Sequence, residues 1–90
     1  MDNLEEAIEL AHRIYDQGSR KVMVATYSGF AESRTRRHLQ LQMDKNNELY
    51  VRVHKRGSRV IHLKDMAGAR IVRAKVDGAK IELPVFFENL

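Results

Sequence analysis

Three of the four histidines, His38, His54 and His62, fall on segments of alternating polar and apolar residues, together with Tyr50 and Glu82. On one face of a sheet, such a set could do general acid–base work on a phosphodiester, one group taking a proton while another returns one. The intervals between the histidines follow no catalytic pattern, however. Metal binding fares no better. There is no cysteine and no HxH or HxxxH pair, so imidazoles would have to meet across strands among cations that repel a metal ion. Gly57, Gly68 and Gly78 stand alone among turn residues and build no phosphate-cradling GxGxxG or GxxxxGK loop. The expectation is a non-enzymatic chain without metal or cofactor.

The cations make a stronger pattern. Residues 34–43, RTRRHLQLQM, begin as a run of positive charge and end in strict alternation. Sorting every alternating segment by period 2 gives two sets. Leu39, Leu41, Met43, Leu49, Val51, Val53, Ile61, Leu63, Val72, Ala74, Val76, Ile81, Leu83 and Val85 form a candidate core face. The opposite set holds His38, Gln40, Gln42, Tyr50, Arg52, His54, Val60, His62, Lys64, Ile71, Arg73, Lys75, Lys80 and Glu82. Arginine and lysine neutralise phosphates, glutamine reaches base edges or sugars, and tyrosine or histidine offers a plane for stacking. Arg34, Arg36 and Arg37 add a basic arm beside Tyr27 and Phe30, and Lys55, Arg56 and Arg59 add a second cluster in the turn KRGSR. Residues 34–75 carry 12 Lys and Arg against Asp44, Glu48 and Asp65.

These residues need a scaffold, and the periodicity supplies one. Residues 3–17 have the apolar stripe of an amphipathic helix, with Asp2 expected as its N-cap and Gly18 as its stop. The period then shortens to 2. Residues 21–27, KVMVATY, are apolar enough for a strand covered on both faces. Residues 36–43, 48–54, 59–64, 69–76 and 80–87 read as further strands, with DKNN and DG as hairpin turns. Pro84 cannot donate to a ladder, which assigns the last strand to an edge or interrupts it. Short connections favour antiparallel neighbours. The expected fold is therefore α+β, one N-terminal helix on a five- or six-stranded antiparallel meander, open or curled into a partly closed barrel.

Ninety residues at 43 % hydrophobic and 31 % charged suit one folded domain over residues 1–90. The first ten residues are acidic where a signal peptide would be basic. No apolar run approaches the roughly 20 residues that cross a bilayer. A cytoplasmic protein with no membrane partner is expected. The small core and the adjacent Phe86 and Phe87 favour a homodimer.

Charge is segregated. Residues 1–18 set Arg13 against five carboxylates, and residues 19–90 set fifteen Lys and Arg against seven Asp and Glu, so −4 faces +8. The expected function is binding of DNA or RNA with limited sequence specificity, using the basic sheet face and the Arg-rich loop. An adaptor or inhibitor that docks the same face on an acidic protein is the alternative. Size and charge are also comparable to those of small basic ribonuclease toxins, but no motif of such enzymes is present, which leaves a nuclease third.

Overall fold

The computed structural model describes residues 3–27, 32–54 and 57–89. Helix α1, Leu4–Asp16, starts one residue later than Asp2 would have it. Its N-cap is Asn3, whose Oδ1 accepts from the Glu6 amide at 3.1 Å. At the other end Gly18 takes φ +99°, and the Gly18 and Ser19 amides donate to Tyr15 and Ile14 carbonyls, the Schellman closure that glycine permits. The Arg20 guanidinium stacks 3.8 Å from the Tyr15 ring and donates to the Tyr15 carbonyl. Among the described residues no helix is long and apolar enough to cross a membrane.

Seven strands follow among the described residues: β1 (Lys21–Tyr27), β2 (Glu32–Gln40), β3 (Gln42–Met43), β4 (Leu49–Val53), β5 (Arg59–His62), β6 (Gly68–Val76) and β7 (Ala79–Asn89). They form two sheets, one of four strands in the order β2-β1-β7-β6 and one of three in the order β3-β4-β5. The protein is α+β, but the single meander of five or six strands is not what forms, and the described strands do not close into a barrel. Two points divide the chain between the sheets. The segment read as one strand over 36–43 breaks at Leu41, whose amide donates to the Arg20 carbonyl, and the chain passes from one sheet to the other there. A 3-10 turn, Leu63–Asp65, with Leu63 and Met66 buried, then returns the chain to the first sheet.

The last strand also departs from the expected edge. β7 lies between β1 and β6, parallel to β1 and antiparallel to β6. Its run of Val85, Phe86 and Phe87 suits a strand covered on both faces. Pro84 is tolerated because pairing with β1 begins only at Val85, so on that side its missing donor has no partner to lose. Asp77 and Gly78 both take positive φ, as the two-residue Asp-Gly hairpin requires.

One core joins the helix and both sheets: Ala7 and Ala11 of α1, Val22 and Val24 of β1, Phe86 of β7, Ala69 of β6, and Leu41, Leu49, Val51 and Val53. A second cluster, Ala25, Val85 and Phe87 with Met23 and Val72, lies on the opposite face of the four-stranded sheet. This reverses the faces expected for β6, because Ala69 and Ile71 point to the main core whereas Val72 does not. Val76 and Leu83, also expected in the core, are exposed. Both Phe86 and Phe87 are buried within one chain, one on each side of the sheet, so these rings give no reason for a dimer.

Candidate nucleic-acid interface

The residues expected to make one basic face are distributed over several surfaces. Arg36, His38 and Gln40 lie on the outer face of the four-stranded sheet, paired with Ala25, Met23 and Lys21 respectively. Tyr50 and Arg52 lie on the outer face of the three-stranded sheet, and His54 follows β4, exposed. Arg73 and Lys75 stand near the hairpin end of β6, opposite Glu82 and Lys80. Lys64 belongs to the 3-10 turn. Lys55, Arg56 and Phe30 lie outside the described residues, as do the side chains of Tyr27 and Arg34. The physical reason is the break at Leu41: alternation carried through it assigns residues of two different sheets to one plane.

Two of the expected phosphate ligands are engaged internally. The Arg37 guanidinium pairs with one oxygen of Glu88, a carboxylate only 4 % exposed, and Arg59 lies 3.5 Å from the other oxygen. This acid connects the two sheets. A phosphate would have to compete with it for both guanidinium groups.

The outer face of the three-stranded sheet is also largely neutralised. Asp44 opens the turn between β3 and β4, and its Oδ1 accepts from the Asn46 and Glu48 amides at 2.8 and 3.0 Å. Its Oδ2 lies 2.9 Å from Nε2 of His62. Chiefly the Glu48 amide, with help from His62 and Asn46, holds the Asp44 carboxyl below its ordinary value. Lys64 lies 2.6 Å from Glu48, whose hydrogen bond and charge raise the lysine. Tyr50 packs its ring at 5.4 Å from that of His62, tilted by 48°. Arg52 donates to the Ser58 hydroxyl at 3.2 Å. These contacts organise a hairpin surface on which, among the described residues, Lys64 has an acidic neighbour and Arg52 a hydroxyl one.

The outer face of the four-stranded sheet differs. Its registered rows run Gln40–Lys21, then His38–Met23–Val85–Arg70, then Arg36–Ala25–Phe87–Gly68. These rows contain no Asp or Glu. The nearest acid along β2 is Glu32, opposite Tyr27 beyond the register shift. Arg70 sets its guanidinium 6.0 Å from the Phe87 ring centroid. Lys21, Arg36 and His38 are exposed and have no ion-pair partner among the described residues. They also line a pocket of about 150 Å³, whose apolar wall includes Met23, Val72, Leu83 and Val85. Ile14 and Ser19 close its side at the end of α1.

Arg70 falls on the face of β6 that alternation assigns to the core, and the sequence gives Lys21 and Met23 no outward face. KVMVATY is apolar enough to be covered on both faces, so its alternation was not used to give it an outside. A lysine opening such a strand beside the arginine-rich segment was the available signal. Among the described residues no group of three or more His, Asp or Glu side chains is arranged to hold a metal ion. No family model, curated protein or solved structure matches the chain.

Proposed function

We propose that the chain binds nucleic acid without catalysing a reaction, through the outer face of its four-stranded sheet. The observation that carries this reading is the coincidence of Lys21, Arg36 and His38, without carboxylate partners among the described residues, with an apolar pocket on one face. Exposed cations near an apolar surface match the two demands of a nucleic-acid strand: phosphates to neutralise and bases to shelter from water. The acidic exposed side of α1, carrying Glu5, Glu6 and Glu9, repels the same ligand and so leaves one approach. Gln40 adds a group able to donate to and accept from sugar or base.

Titration against single-stranded DNA, duplex DNA and RNA at two salt concentrations tests the reading. Binding that weakens steeply with salt and is lost in Lys21→Ala/Arg36→Ala is expected. Failure to bind any of the three at low salt refutes it and leaves an acidic protein as the partner of this face.

A further inference from the structure

We propose that the pocket on this sheet face seats one unstacked pyrimidine base, with an adjoining phosphate held by Lys21 and Arg36. The inference rests on the nucleic-acid reading above and names the unit that the face recognises. Size gives the first reason. The pocket encloses about 150 Å³, and an apolar cavity of roughly that volume takes a single benzene-sized ring. A pyrimidine is one six-membered ring, whereas a purine is two fused rings. The lining gives the second reason. Met23, Val72 and Leu83 offer apolar contact to the faces of a ring, while Lys21 and Arg36 line the same space and supply the positive side that a phosphate requires, with His38 beside them. Among the described residues its wall includes no carboxylate.

Access gives the third. A base in a duplex is stacked on both faces and cannot enter a side pocket without being extruded, so a single strand pays less to bind. A free pyrimidine nucleotide carries the same ring and phosphate as one unit of a strand, and the two sources need separate arms.

The experiment measures fluorescence anisotropy of labelled oligo-dT, oligo-dA and a duplex of equal length with the full chain, at two salt concentrations. Oligo-dT is expected to bind about tenfold more tightly than oligo-dA, the scale of one favourable base contact. Val72→Phe fills the pocket and should erase that preference while leaving the salt dependence of oligo-dT binding intact. Lys21→Ala should keep the preference and flatten the salt slope by about one unit. If Val72→Phe does not fold, Leu83→Trp makes the same test at a position already 39 % exposed. Equal affinity for the two oligonucleotides, or a preference that survives in a folded filled variant, overturns the pocket while the nucleic-acid reading stands. No binding to any of them at low salt removes both. Excess thymidine monophosphate distinguishes the sources. Displacement of oligo-dT that is abolished by Val72→Phe makes the free nucleotide a sufficient ligand, and displacement that persists there overturns the pocket.

Discussion

Glu88 on β7 pairs with Arg37 on β2 across the intervening strand β1, and the carboxylate is almost fully buried. A buried charge that loses its partner is expensive, typically about 3–5 kcal/mol. Arg37 is itself about a third exposed and Arg59 remains on the second oxygen, so Arg37→Ala should fall at or below the low end of that range. Replacing both groups, as Arg37→Met with Glu88→Leu, should recover much of the loss, because no charge is then stranded. Urea unfolding of Arg37→Met, Glu88→Leu and their double closes the cycle. A loss for Arg37→Ala within about 0.5 kcal/mol would show that the carboxylate finds water instead.

The assignment of faces yields a second set of expectations. Leu41→Ala should cost about 2–5 kcal/mol and Phe86→Ala about 3–5 kcal/mol, since both side chains are fully enclosed. Gln40→Ala should stay within about 0.5 kcal/mol. Leu83→Ala is the decisive member. The alternation of KIELPVF places Leu83 in the core, yet it is 39 % exposed, so its loss should be well below that of Leu41. Equal losses at the two leucines would return Leu83 to the core.

The sequence was legible where one segment answered to one period. The helix, its Gly18 stop and the Asp77-Gly78 hairpin are local, set by periodicity and by turn residues whose φ angles the structure displays. Leu49, Val51 and Val53 are buried as their alternation required. What failed was non-local. Nothing in RTRRHLQLQM announces that Leu41 ends one sheet and Gln42 opens another: the Leu41 amide on the Arg20 carbonyl extends the β1–β2 register, and the next residue pairs with Tyr50 of β4, a partner that only the folded chain supplies. The parallel pairing of β1 with β7 joins the two ends of the sheet-forming chain, and only the doubly apolar patterns of KVMVATY and PVFF hinted at central strands. The candidate site inherited the error. Sequence alone points to Arg36 and His38 but not to Lys21, and it offers Arg37 and Arg59 to phosphate although a carboxylate elsewhere in the chain already holds them.

Acid should act on the turn between β3 and β4. The Asp44 carboxyl sits below the ordinary aspartate value of about 3.9 when folded, chiefly because of the Glu48 amide. A depressed folded value means that its contribution is present above the unfolded value and is lost as pH falls through the folded one. Asp44→Asn keeps an oxygen for the amide donors but removes the titrating charge. The gap in melting temperature between wild type and Asp44→Asn should therefore be open above about pH 5 and close on acidification below pH 4 or so. Lys64 has the opposite sign. Its value is raised by Glu48, so its contribution holds below the ordinary lysine value of about 10.4 and is lost only at higher pH. A gap for Asp44→Asn that is unchanged down to strong acid would show that the carboxylate contributes nothing as a charge.

Salt slopes can locate the nucleic-acid surface residue by residue. Each phosphate contact that is removed lowers the slope of log affinity against log salt by about one unit, whatever the base sequence. Lys21→Ala and Arg36→Ala should each show this change, because both side chains are exposed and have no ion pair among the described residues. Arg73→Ala should show less, since Glu82 already lies 3.6 Å from its guanidinium and the pair stands near the far hairpin of β6. Arg59→Ala should change the slope little for the same reason, its guanidinium being near Glu88. Tyr50→Ala separates the two sheets. Its ring packs on His62, beside Asp44, on the other sheet from Lys21 and Arg36, so affinity for single strands should hold. If Tyr50→Ala instead weakens single-strand binding by about 1–3 kcal/mol, a base stacks there and the three-stranded sheet is the binding surface. In that outcome Lys21→Ala and Arg36→Ala would leave the slope untouched, and the pocket face of the four-stranded sheet would lose its claim to the ligand.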